Sequence, residues 1–197
     1  MNNDGVVQVE PLTAGRWDDA VAVFGTRGDP AGCWCQFFRL DPTAWRASTP
    51  EQNRDRLSGQ ARSSPPPGLL AYLEGEPVGW LALGPRPGYA RLRGSRNLAR
   101  VAGADLEDDG VWAVTCFVVR VGRRGQGIAT ALLRAAPDVA RAHGASVLEG
   151  HPVDVSQGGR RSNAELYHGV ASTLVACGFE EIGRTSQARP VMRLSLT

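Results

Sequence analysis

A glycine-rich turn with two arginines, set between an apolar run and an amphipathic segment, is the most constraining feature of this sequence. The run VWAVTCFVV (Val111–Val119) predicts a buried β-strand because it is apolar almost throughout. The turn RVGRRGQG follows at residues 120–127. Apolar residues then recur at helical spacing up to Gly144, which predicts a helix. These residues are Ile128, Leu132, Leu133, Ala136, Val139 and Ala140.

The turn has the chemistry of an anion-binding site. Glycines let consecutive backbone N–H groups point into one concavity, and the N-terminus of a helix adds partial positive charge there. Arg123 and Arg124 place two full positive charges at the rim. The combination predicts a cradle for a phosphate or diphosphate group between the strand and the helix.

The residues of the turn also match a family motif. Residues 124–129, RGQGIA, fit the pattern R/Q-x-x-G-x-G/A, and the segment resembles the coenzyme A loop of the GNAT N-acetyltransferases. The resemblance implies an α/β GNAT fold, with a mixed, mostly antiparallel central sheet, a parallel splayed strand pair and flanking helices. It implies a single acetyltransferase domain over residues 1–197.

In that family the loop amides bind the pyrophosphate of acetyl-CoA. The pantetheine arm lies in the gap between two splayed parallel strands, here Val111–Val119 and residues 145–151. The resemblance thus implies acetyl-CoA as acyl donor and direct transfer to an amine of a small molecule or peptide. It assigns the following residues to the cofactor: Phe117, Val118, Val119, Arg123, Arg124, Gly125, Gln126, Gly127, Ile128, Ala129, Thr130 and Asn163. A backbone N–H of residues 117–119 is the expected donor to the oxyanion.

Amine acetylation also needs a group that removes a proton from the acceptor ammonium. Glu149 is our first candidate because it comes late in the strand beside the gap, where burial would raise its pKa. His151 shares its strand face by alternation and is the second candidate. The alternative for Glu149 is an ion pair with an arginine or a hydrogen bond that caps a loop.

The departing thiolate needs a proton donor, and here the sequence departs from the family pattern. Members carry N-x-x-A-x-x-x-Y ahead of a Gly-Phe pair, and counting back from Gly178 puts Leu174 at the tyrosine position. Tyr167 falls at the asparagine position, two helical turns earlier, and Asn163 lies one turn before it. Tyr167 is therefore a candidate acid, with packing as the alternative. Other candidate donors are water, His168, Ser172 and Thr173.

The acceptor pocket is the least constrained part of the prediction. The resemblance places it near the first helices, so Trp34, Phe37 and Phe38 are the candidate substrate-binding residues. The alternative is that these aromatics form a packing face. A covalent route through Cys116 or Cys177 lacks an adjacent base, which favours direct transfer.

Two other functions compete with an active acetyltransferase. The missing tyrosine is compatible with a non-catalytic acyl-CoA-binding sensor or scaffold. The segment GQGIAT at residues 125–130 is also a near miss to G-x-G-x-x-G, the dinucleotide motif, and Glu149 ends the next strand where a ribose would bind. Two features argue against a dinucleotide site. Thr130 replaces the third glycine of the motif, and the strand–loop–helix segment follows a predicted antiparallel hairpin.

Composition fits a cytoplasmic enzyme of one domain. The chain has 197 residues, 42% of them hydrophobic, which suffices for one substantial core. A net charge of +2 demands no nucleic-acid partner, and no signal peptide or membrane-spanning run is predicted. Cys33 and Cys35 alone lack the ligand count of a zinc site, so no metal is expected. Both a monomer and a homodimer are compatible with this sequence.

Periodicity predicts the remaining elements. Helices are expected at residues 16–24, 50–62 and 163–177, and a hairpin at residues 69–83 around Gly75 and Glu76. Further strands are expected at residues 6–9, 179–184 and 191–196. Residues 84–110 are expected to be rich in loops.

Overall fold

A computed structural model describes residues 6–103, 105–157 and 162–196. Over these residues it contains a seven-stranded sheet in the order β1-β2-β3-β4-β5-β7-β6. The strands are β1 (Gln8–Pro11), β2 (Gly68–Leu73), β3 (Glu76–Pro85), β4 (Val111–Val119), β5 (Val147–Gly150), β6 (Glu180–Ser186) and β7 (Arg189–Ser195). β4 and β5 pair in parallel, and the other neighbours are antiparallel. The predicted α/β fold class is thus confirmed.

Helices cover both faces of the sheet. They are α1 (Trp17–Phe24), α2 (Gly28–Cys33), α3 (Pro42–Ala47), α4 (Pro50–Gln60), α5 (Ala90–Arg93), α6 (Arg96–Ala102), α7 (Ile128–Ala142), α8 (Asn163–Leu166) and α9 (Ala171–Val175). Local capping explains where two of them begin. Asp41 accepts hydrogen bonds from the first turn of α3, and Thr49 and Gln52 form a capping box on α4.

The parallel pair separates after a short contact. β4 and β5 pair only from Val111 with Val147 to Val114 with Gly150. On the other side of β4 the register with β3 shifts, because Ala82 pairs with Cys116 whereas Leu83 pairs with Val114. This bulge bends β4 away from β5. The second half of β4 therefore faces a gap.

The two faces of the sheet carry different parts of the core. On one face, α7 packs against β2, β3 and β4. It buries there the apolar stripe that the helical spacing of the sequence predicted. Gly79 allows this contact, because a Cβ there would lie 2.6 Å from Cγ2 of Ile128. On the other face, α1 and the segment after α2 pack on Trp80, with Phe24 and Trp34 stacked at a ring distance of 4.8 Å.

Two expectations from the sequence are wrong. The predicted helix over residues 163–177 is two short helices, because Gly169 has a left-handed φ of +81° and Val170 is extended and bridges to Val153. Residues 84–110 contain α5 and α6 in addition to loops. Strand β5 is shorter than expected, and β1 is shifted by two residues. Among the described residues, no helix is both long and apolar enough to cross a membrane.

Candidate active site

The glycine turn that opens α7 has the backbone geometry of an anion-binding loop. Gly125 and Gly127 have left-handed φ values of +78° and +73°, which favour glycine, and a Cβ at either would meet no atom within 4 Å. Gly127 is the N-cap of α7 and carries no side chain to cap it. The first N–H groups of this 15-residue helix therefore remain available to a ligand.

A cavity of about 480 Å³ begins at this loop, and we call it the cofactor cavity. Its floor includes Phe117 and Val119, whose side chains point to the α7 face of β4. Residues 166–173 form its opposite wall. The complete described lining is Phe117, Val119, Arg123, Arg124, Gly125, Gly127, Ile128, Ala129, Thr130, Leu166, Tyr167, Gly169, Val170 and Thr173.

A second cavity, of about 770 Å³, lies on the opposite face of β4, and we call it the acceptor cavity. It contacts Cys116 and Val118, the residues that alternate with those of the cofactor cavity. Phe37, Phe38 and Trp45 supply aromatic walls. Its charged lining residues are Asp29, Arg46, Glu165 and Arg189. The two cavities thus approach the same part of β4 from both sides.

Tyr167 is the described residue that lines both cavities. Its carbonyl accepts a hydrogen bond of 2.6 Å from the N–H of Phe117, which fixes its backbone in the gap beside β4. Burial raises the pKa of Tyr167, and the Asp29 carboxylate adds to this effect. The positive charge of the Arg124 guanidinium acts in the opposite direction and lowers the pKa of Tyr167. The phenol therefore stays protonated at neutral pH.

Glu149 lies in an ion-pair network outside both cavities. Its side chain is fully buried, and Oε2 accepts from Arg86 at 3.2 Å and from Nη2 of Arg193 at 2.8 Å. Burial raises the pKa of Glu149, but His151, Arg193 and Arg86 outweigh it and lower the pKa to about 2. The contacts favour an arginine ion pair over the role of general base.

The two candidate histidines have different surroundings. Nε2 of His151 is 3.4 Å from Oε1 of Glu149, and His151 is outside the described lining of both cavities. His168 lines the acceptor cavity, where its Nδ1 accepts from Nη1 of Arg189 at 2.6 Å. Burial and the Arg189 charge lower the pKa of His168 to about 4. Since Nδ1 is occupied, the proton of the neutral imidazole resides on Nε2.

The three residues predicted to bind the acceptor do not all lie in the same place. Phe37 and Phe38 line the acceptor cavity with their rings edge to face, 5.1 Å apart. Trp34 lines neither cavity among the described residues, because its buried ring stacks on Phe24 and Trp17. Packing therefore explains Trp34, which was predicted to bind substrate.

The remaining predicted cofactor residues are placed as follows. Val118 faces the acceptor cavity rather than the cofactor cavity. Gln126 bonds through its side chain to the Gly122 carbonyl at 3.3 Å, which braces the loop. Asn163 begins α8, but its side chain lies outside the described part of the structure. Leu174, at the usual tyrosine position, is buried against Gly150.

Sequence reasoning did not identify several residues in and beside the two cavities. Arg86 and Arg193 hold Glu149 outside the cavities, and because they come from distant segments the sequence did not pair them with it. Trp45 and Arg189 reach the acceptor cavity from α3 and β7, which the sequence does not connect. The one signal available in the sequence was Glu149 itself. A carboxylate in a predicted buried strand requires a partner, and the chain is rich in arginine.

The sheet order, the separated parallel pair and the loop that opens α7 together define a GNAT-type acyltransferase architecture. The model of the Acetyltransferase (GNAT) family matches residues 34–159, more than half of the chain, and the protein belongs to this family. The resemblance stated from the sequence is therefore confirmed. No curated protein matches the sequence.

Solved structures of several acetyltransferases share the fold. The PaiA N-acetyltransferase of Thermoplasma acidophilum, in complex with coenzyme A, is 12% identical with a TM-score of 0.55, over 96% of this chain and 99% of that one. A GCN5-related N-acetyltransferase of Kribbella flavida is 17% identical with a TM-score of 0.54, over 96% of this chain and 97% of that one. The yncA protein of Salmonella typhimurium, solved with acetyl-CoA, is 14% identical with a TM-score of 0.53, over 97% and 94%.

Proposed function

We propose that the protein is an acetyl-CoA-dependent N-acetyltransferase that moves an acetyl group directly to an amine of a small molecule or peptide. One observation carries the proposal: the cofactor cavity and the acceptor cavity reach β4 from opposite faces and both contact Tyr167. A donor held by the glycine loop and an amine held among Phe37 and Phe38 would therefore meet at this residue.

The proposed roles follow from this arrangement. N–H groups at the start of α7 bind the diphosphate of acetyl-CoA, with Arg123 and Arg124 at its rim. Alternation along β4 turns the N–H of Val119, like that of Phe117, away from β3 and toward the gap. Since Phe117 already donates to Tyr167, the N–H of Val119 is the free donor for the bound thioester.

Transfer proceeds in one displacement through a tetrahedral intermediate. The amine nitrogen attacks the carbonyl carbon, a C–N bond forms, the C–S bond breaks, and the sulfur leaves with the electron pair. The Tyr167 hydroxyl donates its proton to this sulfur. The proton of the acceptor ammonium leaves through the acceptor cavity, where Asp29 is the lining carboxylate outside the ion pairs of the described residues. Solvent then returns a proton to Tyr167.

The experiment combines binding with turnover. Thermal unfolding with acetyl-CoA, NAD and NADP identifies the ligand, because a ligand that binds the folded state raises the midpoint. Mass spectrometry of a panel of amines then detects the acetylated product, which avoids thiol reagents that would titrate the four free cysteines. Gly125→Val is the matched control, since a β-branched residue strains the left-handed φ of the loop.

We expect acetyl-CoA to stabilise the protein and at least one amine to be acetylated, with both effects lost in Gly125→Val. Stabilisation by NAD alone would contradict the proposal. Stabilisation by acetyl-CoA without turnover on any amine would support the second candidate function, an acyl-CoA-binding sensor. The observation that favours a sensor is the Phe117 N–H, which is engaged by the Tyr167 carbonyl rather than open to an oxyanion.

A further inference from the structure

The two arginines of the loop have different surroundings. Nη2 of Arg123 lies 2.7 Å from Oε2 of Glu76, so this side chain turns toward the β2–β3 hairpin. In the described part of the chain no ion pair joins Arg124 to a carboxylate. Arg124 instead lines the cofactor cavity together with Tyr167, and its positive charge lowers the pKa of that tyrosine.

Tyr167 is held in place from its backbone. The Phe117 N–H bonds its carbonyl, and Gly169 packs so closely that a Cβ there would lie 2.8 Å from Cε2 of the Phe117 ring. These contacts leave the direction of the hydroxyl to the groups that face it. They include Arg124 of the loop, in the cofactor cavity, and Asp29 of α2 and Cys116 of β4, in the acceptor cavity. Of the two arginines that line the cofactor cavity, Arg124 is the one without an ion pair to a described carboxylate.

We propose that Arg124 is a positioning residue, which holds the Tyr167 hydroxyl at the junction of the two cavities and directs its proton toward the departing thiolate. This inference rests on the proposed function. Because Arg124 is also the first residue of the glycine loop motif, one side chain connects the loop that binds the diphosphate with the group that protonates the sulfur.

A double-mutant cycle tests this role. Arg124→Gln, Tyr167→Phe and the double variant are compared with wild type for kcat and for the Kd of acetyl-CoA. We expect Arg124→Gln to lower kcat about tenfold in the wild-type background and to have no further effect on kcat in Tyr167→Phe. Any loss of acetyl-CoA affinity should be the same in both backgrounds. Arg124→Lys keeps the positive charge but lacks the planar guanidinium with its several N–H donors, so it should recover part of kcat.

Arg123→Gln serves as the matched control, because it removes a neighbouring charge from the same loop. Its effects on kcat and on acetyl-CoA affinity should be independent of Tyr167. If Arg124→Gln lowers kcat by the same factor with and without Tyr167, or leaves kcat unchanged, Arg124 does not act through the phenol and the proposal is overturned. If Tyr167→Phe keeps full kcat, the acid role and the Arg124 proposal fail together, while the acetyltransferase function stands.

A second measurement is independent of turnover. The near-ultraviolet absorbance of tyrosinate, taken as the difference between a protein and its Tyr167→Phe counterpart, follows the titration of Tyr167 alone. Since the guanidinium favours the phenolate, Arg124→Gln should raise the pKa of Tyr167, whereas Arg123→Gln should not change it. An unchanged pKa in Arg124→Gln would overturn the contact itself. This result would hold even if the protein acetylated no amine.

Discussion

At the scale of single residues, the surroundings of a charged group decide its role more than its place along a strand does. Glu149 lies late in β5, as a general base beside the gap would. Its carboxylate is nonetheless fully buried and shared by Arg86 and Arg193. A carboxylate held in this way gains stability from being ionised and has little tendency to take a proton.

Replacement of Glu149 should therefore lower the stability of the fold and leave the catalytic rate of the folded protein largely unchanged. Glu149→Gln leaves Arg86, whose side chain is 1% exposed, without a counter-charge. We expect a loss of about 3 kcal/mol in the free energy of unfolding, measured with urea. Glu181→Gln breaks an exposed ion pair with Arg184 and should change the free energy of unfolding little. The kcat per folded molecule should survive in both, and a kcat lost at unchanged stability would instead identify Glu149 as the base.

Cys116 permits a residue-level test of direct transfer. Its thiol faces the acceptor cavity beside Cys35, whose pKa is raised well above 9.0 by burial and by the hydrogen bond with Cys116. Because Cys35 stays protonated, it cannot take the proton of Cys116 and does not activate Cys116 as a nucleophile. Cys116→Ala should thus retain most of its turnover, with Cys177→Ala as the control. Incubation of wild type with acetyl-CoA alone should leave Cys116 unmodified by mass spectrometry, and a stable acetyl adduct there would contradict direct transfer.

At the scale of elements, the strand, loop and helix of residues 111–142 could be predicted because their signals are local. The apolar run, the glycines and the helical spacing all lie within one continuous stretch. The break in the predicted helix of residues 163–177 has no such local signal. It depends on Gly169 packing against Phe117 and on Val170 bridging to Val153, contacts that only the folded sheet creates.

The segment that carries Tyr167 should respond to a change at Gly169. Gly169→Ala combines a left-handed φ of +81° with a Cβ 2.8 Å from the Phe117 ring. Gly178→Ala is the matched control, since its φ is +87° but its nearest Cβ neighbour, in Leu194, is 3.6 Å away. Both variants should lose about 1 kcal/mol of stability from backbone strain. We expect Gly169→Ala alone to lower kcat strongly, and equal kcat values in both would show that this packing does not position Tyr167.

At the scale of the whole molecule, the sheet separates the two cavities onto its opposite faces. α7 and the loop border the cofactor cavity, while α2, α3 and residues 164–168 border the acceptor cavity. The sequence indicated the loop residues of the cofactor cavity because one continuous motif contains them. The acceptor cavity draws on Trp45, Arg189 and other residues from separated segments, and Phe37 and Phe38 are the predicted substrate-binding residues that line it.

Two titratable groups, the half-buried His168 and the buried Glu149, make the stability of the whole molecule depend on pH in two successive ranges. Burial and Arg189 lower the pKa of His168 from 6.5 to about 4, so the unfolded chain takes up this proton first as the pH falls. The associated stability is complete above pH 6.5 and is lost toward pH 4. The pKa of Glu149 is lowered from 4.5 to about 2, so its stabilisation is complete above pH 4.5 and is lost toward pH 2.

His168→Asn should remove the upper of these two ranges. The asparagine carbonyl can still accept the hydrogen bond from Arg189, but it cannot bind a proton. Urea unfolding at a series of pH values should show wild type losing on the order of 2 kcal/mol between pH 6.5 and pH 4, while His168→Asn stays nearly level there. His143→Asn, at an exposed position, should keep the wild-type slope. An unchanged slope in His168→Asn would mean that another group carries the acid sensitivity, whereas a level profile would identify His168 in the acceptor cavity as its source.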